Sequence, residues 1–198
     1  MESKTQSEMQ LAVASSQQWV EAVMNDFDTF LTDHADCERK ASSMAMSFVA
    51  KFPDRTEIVP ELIAIGLEEL VHFQQVYMIM EKRGVLLTHE MKQDLYVKQL
   101  IGHCRSGRED RFLDRLVVAS VVEFRGAERF KLVCDALEDK ELKDFYYKLW
   151  KSEQKHGYVF IDMAQHYFEE VEIQQRITFF VEKEGEILNG LEIKAALH

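Results

Sequence analysis

A chain of 198 residues, 46% of them hydrophobic, is long enough to bury one substantial core, and nothing in its composition calls for a second domain, so residues 1–198 are expected to form one unit. The net charge of -11 argues against general nucleic-acid binding, which needs clustered Lys and Arg against phosphate, and no segment is long and apolar enough to span a bilayer. The opening MESKTQSEMQ lacks a basic cluster followed by an apolar run, and Cys37, Cys104 and Cys134 are odd in number and far apart, so a soluble, cytoplasmic protein with free thiols and no membrane association is expected.

Two prolines and eight glycines leave long stretches rich in Ala, Leu, Glu, Lys, Met and Phe, and strand-like alternation is hardly visible. A short amphipathic helix is expected from Gln17 to Asn25, then a long one from about Thr29 to Lys51, closed by Phe52-Pro53-Asp54. Thr56 is placed to cap the next helix and Pro60 falls in its first turn, where a missing N–H is tolerated; the pattern runs to Arg83 and stops at Gly84. A shorter helix is expected from Met91 to Cys104, a long one from Arg108 to Leu137, and a fourth long one from Lys140 to about His166, capped by Asp139. A last amphipathic helix, Glu169 to Leu188, packs outside or across the others. Tight turns join the long helices in pairs, while the second reaches the third only through an excursion from Leu86 to Gly107. This is the connectivity of an all-α, ferritin-like four-helix bundle with one long crossover and accessory helices.

The four long helices carry, in order, Glu38, Glu69-x-x-His72, Glu123 and Glu153-x-x-His156. Residues three apart on a helix share a face, so each Glu-x-x-His pair can reach one metal ion from adjacent turns. A single copy is weak evidence, since about one is expected by chance in a chain with this much Glu and His. The second copy, and the faces around the other two glutamates, change the weight. Leu31, Ala35, Ala41, Ser42 and Ala45 surround Glu38 at helical spacing, and Leu116, Ala119, Ser120, Gly126, Ala127 and Phe130 surround Glu123. A carboxylate on such a small, apolar face needs a compensating cation or a proton. Glu128 is set aside as a ligand because Arg125, Lys131 and Asp135 beside it describe a solvated face. Two glutamates plus two Glu-x-x-His pairs are the ligand set of a di-metal carboxylate site, with iron or manganese favoured over zinc, one Glu-x-x-His pair holding each metal and Glu38 and Glu123 the natural bridging or semi-bridging candidates.

His34 reads as a partly exposed helix histidine, with orientation of Glu38 as the alternative. His89, His103, His166 and His198 read as surface residues, and Met44, Phe48, Phe73, Met78 and Met80 as ordinary core. Lys98, Arg105, Arg108, Arg111 and Arg115, interleaved with Glu109, Asp110 and Asp114, form a basic island that offers phosphate contacts, with Arg125 and Arg129 as further candidates; a solvated loop and helix start is the equal alternative.

The segments Asp33 to Ala41, Glu68 to Phe73, Glu123 to Phe130 and Ser152 to His156 resemble the tRNA-isopentenyladenosine hydroxylases of the MiaE type, a family of the ferritin-like superfamily, and the resemblance covers nearly the whole chain. It implies a non-haem monooxygenase with two iron ions and O2 as co-substrate, hydroxylating the isopentenyl group of a modified adenosine (2-methylthio-N6-isopentenyladenosine) in the tRNA anticodon stem-loop. Electrons are expected from an external reductase or ferredoxin, because the chain has neither Rossmann glycines nor clustered cysteines to hold a redox cofactor. Competing readings are a ferritin- or rubrerythrin-like protein that oxidises iron or removes peroxide, a di-iron oxygenase for a small molecule or lipid, and a helical interaction module. Oligomeric state, monomer or small oligomer, is left open by the sequence.

Overall fold

The computed structural model describes residues 9–90 and 93–198. Among these residues there are seven helices and no strand: α1 (Gln17–Asn25), α2 (Phe27–Lys51), α3 (Val59–Arg83), α4 (Leu95–Gly102), α5 (Arg108–Ala136), α6 (Lys140–Gln165) and α7 (Glu170–Gly190). No helix among them is long and apolar enough to cross a membrane. The leader reading of MESKTQSEMQ falls mostly on residues 1–8, outside the described part.

Local chemistry sets the ends. Ser16, Asp26, Asp94 and Asp139 each accept a hydrogen bond from the backbone N–H three residues on, capping α1, α2, α4 and α6. Gly84, at φ 72°, closes α3 in the left-handed conformation that costs glycine least. Thr56 does not cap α3. The helix begins after Ile58 with no side-chain cap, and backbone bonds from Arg55 N to Phe52 O and from Ile58 N to Arg55 O carry the turn instead. The expected start of α4 at Met91 lies outside the described residues; the helix runs from Leu95 because Asp94 takes the cap.

The chain packs as two helical hairpins, α2 with α3 and α5 with α6, while α7, α4 and α1 lie against α5. Each hairpin is pinned near its middle by a serine hydroxyl donating to a carbonyl across the pair, Ser42 to Gly66 at 2.8 Å and Ser120 to Gly157 at 2.7 Å. The approach at Gly157 needs a small residue, whereas at Gly66 only the flexible end of Met46 would have to give. A Cβ on Gly157 would lie 2.6 Å from the Phe124 ring, and one on Gly66 would lie 3.0 Å from Met46. Between the hairpins, α2 and α5 run antiparallel: Phe52 meets Phe112 at one end (ring centroids 4.5 Å apart) and His34 meets Phe130 at the other (4.7 Å). One apolar cluster surrounds Phe48, Phe112 and Phe160, another surrounds Phe30, Phe130 and Tyr146. Of the residues read as core, Phe48 and Met80 are buried but Met78 is exposed. The polar residues enclosed between the two clusters make the site.

Candidate metal centre

Glu38, Glu69, His72, Glu123, Glu153 and His156 converge from four helices, all of them buried. They fall into two overlapping groups, each with ligand atoms within 4.8 Å of one another: Glu38, Glu69, His72 and Glu153, and Glu69, Glu123, Glu153 and His156. Glu69 and Glu153 belong to both. Glu38 and Glu123, the expected bridging or semi-bridging candidates, each belong to one group only. His72 shares its side with Glu38, and His156 shares its side with Glu123.

Both imidazoles turn Nδ1 inward. His72 Nδ1 lies 3.2 Å from Glu69, 3.3 Å from Glu153 and 3.6 Å from Glu38. His156 Nδ1 is 2.7 Å from Glu69 Oε1, yet the two atoms do not meet at hydrogen-bonding angles, and both lack a hydrogen-bond partner among the described residues. Glu153 Oε1 is unpartnered as well. Buried atoms of this kind are costly when orphaned, and their lone pairs aim at a common space, as ligand atoms do. Four carboxylates also match the charge of two divalent cations, and oxygen with imidazole nitrogen suits iron or manganese. The residues present fit a di-metal site.

Without metal the cluster must hold protons. Burial, reinforced by the neighbouring glutamates, pushes Glu38 and Glu123 well above the usual carboxylate range, although the His72 contact pulls Glu38 the other way. Burial also raises Glu153, but contacts from Glu123, His156 and His72 outweigh it and hold that carboxyl low. Burial disfavours the charged imidazoles, yet the surrounding carboxylates raise His72 far above its ordinary value and His156 to about 10.

Three further residues position these ligands. His34 is fully buried, not partly exposed; its Nε2 lies 2.6 Å from Glu38 Oε1 and its Nδ1 3.2 Å from the Tyr146 hydroxyl. Burial holds His34 neutral, with its pKa lowered to about 3. Glu68 accepts a hydrogen bond from Ser152 at 2.6 Å and lies 3.2 Å from His156 Nε2, the nitrogen turned away from the cluster, as an ion-pair contact without hydrogen-bonding angles. The i, i+4 spacing of His34 and Glu38 signalled such a contact, whereas Tyr146 and Glu68 gave no signal because their partners come from distant segments.

A cavity of about 120 Å³ opens onto Glu38, Glu69, Glu123 and Glu153. Its walls are mainly apolar, with Met44, Val97, Ile101, Val118, Val122 and Phe130 among them, and Ala41, Ala119 and Gly126 leave it room. A Cβ on Gly126 would meet nothing within 4 Å. His198, read as a surface residue, is largely buried at this cavity, 3.0 Å from Asp94 and stacked on Tyr96. His89, His103 and His166 are exposed.

A family model described as tRNA-(MS[2]IO[6]A)-hydroxylase (MiaE) matches residues 3–198. The chain belongs to the MiaE family. The tRNA 2-(methylsulfanyl)-N(6)-isopentenyladenosine(37) hydroxylase of Pseudomonas putida is 33% identical to it over 91% of this chain and 87% of that protein. The Salmonella typhimurium protein of the same name is 27% identical over 67% of this chain and 48% of its own length. A solved structure described as Protein 43 with aldehyde deformylating oxygenase activity from Synechococcus matches with a TM-score of 0.89 at 28% identity, over 95% of this chain and 94% of that one. The fold is the ferritin-like bundle of di-iron oxygenases.

For a MiaE-family chain the basic island is the natural place to seek phosphate contacts, but most of it is already paired. Arg105 is bound to Asp114 and Asp110, and Arg108 to Asp54 at 2.6 Å. Arg111 donates to the Arg105 carbonyl, and exposed Lys98 to Gln93. Arg125 is fully buried, locked to Glu184 at 2.7 Å and 2.9 Å and to Glu128, so it does not face a substrate. Arg129 is buried against Trp19 and the Leu197 carbonyl. Glu128 does not lie on a solvated face; it is half-buried and receives Ser15 and Arg125. Arg115 alone of the group lines the cavity.

Proposed function

We propose that this chain is an iron-dependent tRNA hydroxylase acting on the isopentenyl group of 2-(methylsulfanyl)-N(6)-isopentenyladenosine, the nucleoside named for its relatives. The observation that carries the reading is a narrow apolar cavity ending on the buried carboxylate–histidine cluster of a MiaE-family chain. In this reading Glu38, Glu69, His72 and Glu153 would hold one iron ion and Glu69, Glu123, Glu153 and His156 the other. With iron bound, the site would supply reductive O2 activation, in which one oxygen atom enters a substrate C–H bond and the other leaves as water, consuming two electrons and two protons. The electrons come from a separate reductase or ferredoxin.

The protein's share is positioning and exclusion of water. Met44, Val118 and Val122 present an apolar wall to a prenyl chain, and Ala41, Ala119 and Gly126 keep the slot open along α2 and α5. His34, kept neutral by burial, fixes the Glu38 carboxylate, and the Glu68 charge lies on the outer, Nε2 side of the His156 ring, whose Nδ1 faces the cluster. Nucleoside analysis of tRNA from cells lacking the protein tests the assignment. The hydroxylated nucleoside is expected to disappear and its unhydroxylated precursor to accumulate; unchanged levels would reject it.

A further inference from the structure

Two cations line the cavity, Lys40 on α2 and Arg115 on α5. Among the described residues neither makes an ion pair, whereas Arg55, Arg105, Arg108 and Arg125 all do. Arg115 is half-buried with its guanidinium over the Phe48 ring at 5.5 Å, which fixes its direction while leaving its donors unspent. Lys40 is half-buried and feels the charges of Asp33 and Asp94, but neither carboxylate lies within ion-pair distance of it. Asp33 accepts from Leu197 N at 2.7 Å, and Asp94 caps Val97 and lies 3.0 Å from His198. Lys40 lies about two helical turns from Phe48 along α2, about 12 Å at the usual rise, so the two charges stand apart along the cavity rather than at one point.

In a chain of net charge -11, unpaired cations beside an apolar cavity call for an anionic ligand with an apolar substituent. A prenylated nucleotide within RNA is such a ligand: its backbone carries a phosphodiester on either side, and an unpaired loop base is free to unstack and enter a pocket. We propose that Lys40 and Arg115 bind the backbone phosphates flanking the modified nucleotide and so hold its N(6) substituent in the cavity. The proposal rests on the tRNA reading above. It moves the phosphate contacts from the ion-paired part of the basic island to two residues at the cavity itself, one of them outside that island.

The test uses the full chain reconstituted with iron, with Lys40→Ala, Arg115→Gln, Arg115→Lys and, for comparison, Arg108→Gln, whose guanidinium is spent on Asp54. Binding of a modified anticodon stem-loop is measured across a range of salt, and kcat and KM are measured on the stem-loop and on the free modified nucleoside, which has no phosphate. For Lys40→Ala and Arg115→Gln we expect KM for the stem-loop to rise about ten-fold more than KM for the nucleoside. The log–log salt dependence of binding should fall by about one for each lost contact. Arg115→Lys should recover most of the salt slope, Arg108→Gln should shift neither quantity, and iron content should match the wild type throughout. Wild-type affinity and salt slope in both cavity-side variants, or equal losses on stem-loop and nucleoside, would overturn the proposal while leaving the tRNA reading in place. A wild-type protein that neither binds nor hydroxylates the stem-loop would remove both.

Discussion

A glutamate shared by two metal ions should matter more to loading than one that serves a single ion. Glu69 and Glu153 lie in both ligand groups, while Glu38 and Glu123 each lie in one. Substituting Glu69 or Glu153 by Ala is therefore expected to abolish iron loading, whereas Glu38→Ala keeps about half of it, as elemental analysis after reconstitution will show; equal loss in all of them would contradict the shared role. His34→Phe should retain the fold, because His34 packs among Phe30, Phe130 and Tyr146, but lower iron affinity or turnover about 10- to 100-fold through a loosened Glu38. A protonation effect goes with loading. His72 and His156 have folded-state pKa values above the ordinary 6.5, so near neutral pH the metal-free cluster holds their protons, and ligation must displace them. Iron addition in weak buffer should acidify the solution, and apparent affinity should fall as pH is lowered. The stabilisation these charged imidazoles give the metal-free fold is complete below 6.5 and is lost for His156 as pH rises through about 10. The six residues of the cluster could be picked out in the sequence because doubling removed the ambiguity of a single Glu-x-x-His. Which glutamates fall in both ligand groups could not, since that depends on how side chains from four helices meet.

At the scale of the helices, glycine separates packing from open space. Gly157 lets α6 approach Phe124 of α5, and Gly157→Ala should cost about 1–3 kcal/mol by overpacking, read as a lowered midpoint in denaturant. Gly126 faces the cavity with nothing within 4 Å of a built Cβ. Gly126→Leu is therefore expected to leave fold and iron content intact while raising KM for the prenylated substrate. Unaltered kinetics in this variant would show that the cavity is not the substrate slot. Helix ends were well marked where a side chain or glycine caps them, as at Gly84 and Asp139. Thr56 misled because the turn between α2 and α3 is held by backbone bonds, which leave no trace in residue type.

For the molecule as a whole, the duplicated hairpin was legible as a repeat of Glu38 and Glu69 in Glu123 and Glu153. The basic island was legible as charge, but not as function, because its carboxylate partners come from Asp54, Asp110, Asp114 and Glu172 in three separate stretches of chain. Arg125 illustrates the limit most plainly: a cation in the third long helix reads the same in sequence whether it faces phosphate or, as here, the buried Glu184 of α7. The two hairpins bring four carboxylates and two imidazoles to the end of one apolar cavity, and α4 closes over it with Val97 and Ile101. The most direct test of the resulting account is mass spectrometry of a modified anticodon stem-loop after incubation with the chemically reduced, iron-loaded protein under isotopically heavy O2. The account predicts one heavy oxygen atom on the isopentenyl group and none when Glu69 is replaced by Ala; an unchanged nucleoside, or oxygen drawn from water, would contradict it.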